Sequence, residues 1–187
     1  MASDSSLTPL SHPALRALRQ ALMHDLGDQF AGVLQQTGSA GGAELMTAFD
    51  GWCSRRGLGH PEALAMSRFR AALTDFLRDA GWGTVRFVEL GTAMLALEAT
   101  DWAEAEEAPR LAYPSCFYSA GLLADLFGRV ADGPMACLEV SCRASDAPTC
   151  RFLLGSPEVL TAVHQRIVEG MDPETAVRGV AGPPGDR

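Results

Sequence analysis

The sequence predicts an α+β domain, with helices packed on one side of a small antiparallel sheet. Three observations carry this. From Leu15 to Leu77, apolar residues recur at spacings of three and four, the signature of helix faces. Two pairs of short alternating segments follow, around 84–99 and 135–155, each joined by a tight turn. One helical stripe separates the two pairs and another follows them. Antiparallel hairpins with helices segregated from them make this class.

The first helix is expected over "PALRALRQALMHDLGDQFAGVLQQTG", with Leu15, Leu18, Leu22, Leu26, Phe30 and Val33 as one stripe. Pro13 suits a first helical turn, and "GSAGG" at Gly38–Gly42 stops the helix. A second helix places Leu45, Phe49, Trp52 and Cys53 on one side and ends near Gly57. A third runs from about Pro61 to Ala80, with Met66, Phe69, Leu73, Phe76 and Leu77 as its buried face, and "GWG" breaks it. "TVRFVEL" and "TAMLALEAT" read as a hairpin turning at Gly91. The acidic connector "DWAEAEEAPR" follows, and its run Glu104–Glu107 reads as a solvated face.

The next helix spans Pro114 to about Val130, with Cys116, Ala120, Leu123, Phe127 and Val130 on one face. "MACLEVSC" and "TCRFLLG" form the second hairpin around "RASDAP". Ser156–Pro157 opens a final helix with Val159, Leu160, Val163 and Ile167 on its stripe. The expected organisation is a flexible leader at 1–12, one domain at 13–170 and a tail at 171–187, disordered at its end.

Composition bounds the function. At 187 residues and 47% hydrophobic, the chain can bury a substantial core. A formal net charge of −8, with no basic cluster longer than Arg55–Arg56, argues against nucleic acid and anionic membranes as partners. No stretch approaches the roughly 20 apolar residues of a membrane span. "MASDSSLTPLSHP" lacks the basic start and apolar run of a signal peptide, so a cytoplasmic location with reduced thiols is expected.

Three of the five cysteines lie in "CLEVSCRASDAPTC", with a glutamate among them. Cys116, Glu139, Cys142 and Cys150 together supply three thiolates and one carboxylate, a donor set that suits a tetrahedral zinc ion. Cys142 and Cys150 flank one turn, and Cys116 sits where the helix N-terminus favours a thiolate. Core thiols and a Cys142–Cys150 disulfide are the competing readings. One detail opposes the metal. Glu139 and Cys142 are three residues apart, and a regular strand would point them to opposite faces.

The stretch "PSCFYSAGLLADLFGRVADGPMACLEVSCRASDAPTCRFLLGSPE" resembles the end of the vinyl-4-reductase domain. The matching pattern is Cys116 opening a helix that contains Gly121, then Glu139, Cys142, Cys150 and Phe152. "GWGTVRFVELGTAMLALEATDWAEA" is similar to the family's first hairpin. The family includes bacteriochlorophyll-synthesis proteins named for reduction of a tetrapyrrole vinyl group, and the sensory domains of phenol-responsive NtrC-type regulators. Its fold resembles the core subunits of the TRAPP trafficking complexes. The resemblance implies that Cys116, Glu139, Cys142 and Cys150 are zinc ligands. Four protein ligands would fill the coordination shell, so that zinc would be structural. Cys53 and Cys137 are left over. Cys53 falls on a core stripe, and the TRAPP likeness offers acylation of Cys53 as a remote alternative.

The resemblance also implies an apolar pocket between helices and sheet for an aromatic or tetrapyrrole-like ligand. Phe69, Phe76, Trp102, Tyr113, Phe117 and Tyr118 are the candidate lining residues. The histidine and tryptophan that hold the phenolic hydroxyl in the sensing relatives have no counterpart here. None of His12, His24, His60 and His164 falls at that position, and Trp52, Trp82 and Trp102 do not align with it. No dinucleotide fingerprint follows a strand, and zinc would consume the cysteines an iron–sulfur cluster needs. A complete reductase is therefore not expected from this chain alone. The leading expectation is a zinc-stabilised sensor or carrier domain for a small hydrophobic ligand. A bacteriochlorophyll reductase or accessory protein is the alternative, and a dimeric scaffold built on the first helix is the third reading.

Overall fold

The computed structural model describes residues 12–106 and 111–181. The expected leader (residues 1–11), Glu107 of the acidic run and the end of the expected tail (182–187) lie outside them. In chain order the elements are α1 (His12–Leu26), α2 (Phe30–Ala40), α3 (Gly42–Arg55), α4 (Met66–Asp79), β1 (Val85–Leu90), β2 (Met94–Ala99), α5 (Ala103–Glu106), α6 (Phe117–Ala131), β3 (Ala136–Ser141), β4 (Cys150–Gly155), α7 (Pro157–Val168) and α8 (Pro173–Ala181). Short 3-10 turns occupy Gly27–Gln29, Pro61–Ala63 and Arg143–Ser145.

The strands form one antiparallel sheet in the order β1-β2-β4-β3. Register sorts the side chains into two faces. Phe87, Leu97, Phe152 and Glu139 form one cross-strand row, and Val85, Ala99 and Cys150 form the next. Both rows face the main core, built from α3, α4 and α6 around Phe49, Trp52, Phe69, Leu73, Phe76, Leu123 and Leu126. The other face carries Met94, Ala96 and Leu153 against Leu160 and Val163 of α7 and Ala176 and Val177 of α8. The α+β class stands. The α7–α8 pair adds a small second layer behind the sheet, and α8 forms where a tail was expected. Its buried Ala176 and Val177 explain the docking.

The expected first helix divides at Gly27, whose φ of 53° is left-handed and ends the α1 ladder. The single stripe therefore fails. Leu18, Leu26 and Val33 stay exposed, while Leu15 and Arg19 of α1 and Phe30, Leu34 and Gly38 of α2 turn inward. Met66 is also exposed, because it starts α4 after an extended Leu64–Ala65 link.

Helix α2 packs on α6 at very short range. A Cβ on Gly121 would collide with the Gln35 carbonyl oxygen, and one on Gly38 with the Tyr118 carbonyl oxygen. This contact seats the N-terminal half of α6, and with it the start of the functional site.

Candidate metal centre and adjoining cleft

The site assembles from one helix start and one hairpin. Cys116 is the N-cap residue of α6. Glu139 is near the end of β3, Cys142 follows that strand, and Cys150 begins β4. The spacing problem between Glu139 and Cys142 is solved by a β-bulge. Glu139 pairs with Phe152, but Ser141 pairs with Arg151, so Val140 is an extra residue. The bulge turns a three-residue interval into an effective two, and both side chains reach the core face.

One sulfur from each cysteine and one oxygen of Glu139 lie within 4.8 Å of one another. Cys116 Sγ and Cys142 Sγ are 3.7 Å apart. Two sulfurs bound to zinc at about 2.3 Å in a tetrahedron would be separated by about 3.8 Å. A disulfide would bring them to about 2.0 Å, and all five cysteines are free thiols. The backbone N–H of Cys116 donates to Glu139 Oε2 at 2.7 Å. Glu139 Oε1 is buried with no hydrogen-bond partner. The Arg143 N–H points at Cys150 Sγ at 3.5 Å. Together these features fit a metal ion.

Electrostatics agrees. Burial, then the Cys142 charge, pushes the Glu139 carboxyl up to about 9. Burial and a hydrogen bond with Cys142 raise the Cys116 thiol well above its ordinary range. Hydrogen bonds with Cys116 and Cys150 hold Cys142 far below it. By itself the cluster thus holds one thiolate comfortably. Four anionic donors in so small a buried space need a cation to compensate them.

Beside the cluster lies a cleft of about 540 Å³, lined by Tyr113, Phe117, Gln35, Cys137, Leu138, Val140 and His164 among others, with Cys116 and Glu139 in its wall. Of the six aromatic residues expected to line a pocket, Tyr113 and Phe117 reach this cleft. The other four do not. Phe69, Phe76 and Trp102 are packed in the core, with Phe49–Phe76 ring centroids at 5.1 Å and Trp102–Phe152 at 5.5 Å. Tyr118 stacks on Trp82 at 6.1 Å. Cys53 lies fully buried in the core.

Arg19 and Glu104 were not singled out by sequence reasoning. Glu104, expected on a solvated face, is fully buried and paired with Arg19. The available signal was local. Arg19 follows Leu15 by one helical turn on the inward face, and Glu104 stands between Ala103 and Ala105, both buried.

Comparison with known proteins decides the family of the segment that holds all four donors. Residues 96–156 match the vinyl-4-reductase domain family. The matched segment runs from β2 to the end of β4, and so contains the helix start and hairpin just described. No curated protein matches the chain. Among solved structures, the phenol-responsive sensory domain of the transcription activator PoxR, solved with phenol, is similar at 17% identity and a TM-score of 0.61, over 93% of this chain and 83% of that one. A vinyl-4-reductase family protein from Methanocaldococcus jannaschii follows at 15% identity and 0.51, over 81% and 83%. A trafficking protein particle complex subunit 3 from Naegleria fowleri, covalently bound to palmitic acid, aligns at 9% and 0.57, over 77% and 91%. At such identities the likeness speaks for the shared fold, which is the one expected. No helix among the described residues is long and apolar enough to cross a membrane.

Proposed function

We propose that this chain is a small-molecule-binding sensor or carrier domain, with its C-terminal half held together by one structural zinc ion. The single observation that carries the metal is the 3.7 Å separation of Cys116 and Cys142 sulfurs, beside an unpartnered Glu139 oxygen. Cys116, Glu139, Cys142 and Cys150 hold the ion. Four protein donors fill a tetrahedron and leave no place for water or substrate, so its role is to fasten α6 to the β3–β4 hairpin.

The ligand site we assign is the cleft along β3. Its volume of about 540 Å³ suits a small organic molecule. Tyr113 and Phe117 offer aromatic surface, while Gln35 and His164 can fix a polar group. A phenol-like ligand fits that mixture, and the family match and the likeness to a phenol-responsive sensory domain support it. A role in bacteriochlorophyll synthesis rests on the family resemblance alone. The exposed Leu18, Leu26 and Val33 on α1 and α2 favour a homodimer through that face.

Metal analysis with native mass spectrometry tests the first part and the oligomer together. One zinc per chain is expected, and a folded protein free of metal would overturn the reading. Thermal-shift titration with substituted phenols and porphyrins tests the cleft. A shift is expected that disappears when Ala120, at its wall, is enlarged to Trp. Binding unaffected by Ala120→Trp would place the ligand elsewhere.

A further inference from the structure

We propose that Arg19 and Glu104 are positioning residues for the metal centre, a buried ion pair that fixes residues 115–119 and thereby ties α1 to Cys116. This rests on the zinc reading above. Both side chains are fully buried. Glu104 caps α6 from outside the helix. Its Oε2 accepts the Ser119 N–H at 2.7 Å, and its Oε1 accepts the Tyr118 N–H at 3.3 Å. These are amide groups that a helix start leaves without an internal partner. The Ser119 hydroxyl also donates to Glu104, and the Trp102 indole N–H donates to that hydroxyl at 2.8 Å.

Arg19 holds the other side of Cys116. One guanidinium nitrogen pairs with Glu104, and the second donates to the Ser115 carbonyl at 2.8 Å. The Cys116 N–H meanwhile goes to Glu139. Backbone groups on both sides of the first ligand are thus held by three charged side chains, and two of those come from outside α6 and the β3–β4 hairpin. The cation comes from α1, where Leu15 and Arg19 are the only buried side chains among those described. Helix α1 therefore meets the domain mainly through a contact that also aims Cys116. By linkage the coupling runs both ways: zinc binding steadies α1, and release of α1 loosens the zinc.

The test measures the rate at which zinc passes from the protein to a chromogenic chelator. Variants Arg19→Met and Arg19→Met/Glu104→Gln are compared with Val163→Ala, which weakens the opposite face of the sheet. The double variant leaves no lone charge buried and keeps the comparison available should Arg19→Met not fold. Zinc transfer about 10–100-fold faster than in Val163→Ala is expected for the Arg19 variants, the usual effect of removing a group that orients a ligand. Rates that simply follow thermal stability across the set would make the pair a structural tie and overturn the proposal. A second readout needs no variant: amides of α1 should exchange hydrogen faster in wild-type protein stripped of zinc. Unchanged α1 exchange would also overturn it. A wild type that takes up no zinc would fail at the first measurement, and that failure belongs to the zinc reading.

Discussion

Adding one methyl group at the α2–α6 crossing should have opposite effects at two glycines. Gly121→Ala places a Cβ into collision with the Gln35 carbonyl oxygen, 2.8 Å from its carbon and 2.9 Å from the Ser39 nitrogen. Carbon contacts are comfortable only beyond about 3.5 Å, so the helices must part by on the order of 1 Å. The obstacle is backbone on both sides, with no flexible side chain to yield. Overpacking of this kind costs about 1–3 kcal/mol, and the upper end applies here. Replacing Gly by Ala in a helix returns about 1 kcal/mol. The net loss is about 2 kcal/mol, a fall in Tm of about 4–8 °C for a chain of this size. Gly32 in the same α2 has nothing within 4 Å of the point where a Cβ would stand, so Gly32→Ala should gain up to about 1 kcal/mol. Calorimetry or urea denaturation of both variants measures the pair. Gly121→Ala at or above the wild-type Tm would refute the close-packing argument.

Stripping zinc with a chelator, or Cys142→Ser, should lower Tm by about 8–16 °C, since a ligand at a thousandfold its Kd contributes about 4 kcal/mol. Scanning calorimetry with added zinc checks this, with restoration expected for the wild type and none for the variant. Phe152→Ala, which empties space beside Trp102 at the sheet centre, should cost about 3–5 kcal/mol in urea denaturation. Glu104→Ala should cost about 3–5 kcal/mol by leaving the Arg19 cation buried alone, and the same assay reads it. Burial first, and the Asp50 carboxylate second, raise the Cys53 thiol against a smaller pull from Arg56. Mass spectrometry should therefore find Cys53 resistant to iodoacetamide at about pH 8 until denaturant is added. Because the unfolded thiol ionises near about pH 8.5 and the folded one higher, stability from this group is present below about pH 8.5 and lost above it.

Local pattern alone determined the elements that bury one face. Leu45, Phe49, Trp52 and Cys53 on α3, and Phe69, Leu73, Phe76 and Leu77 on α4, all turn inward as their spacing requires. Both hairpins and the four candidate ligands were legible for the same reason, because strand alternation and a short polar turn bring sequence neighbours together. Three features depended on tertiary structure. The Val140 bulge, which lets Glu139 and Cys142 share a face, is a property of pairing with β4 and has no signature in β3 by itself. The break at Gly27 redirected a stripe that looked continuous, and the docking of α8 needed the back of the sheet as its partner. Arg19 and Glu104 lie far apart in the chain, and each alone looks like a solvent-facing charge. Only folding brings the cation, the carboxylate and the open end of α6 into one dry space, where their charges satisfy one another.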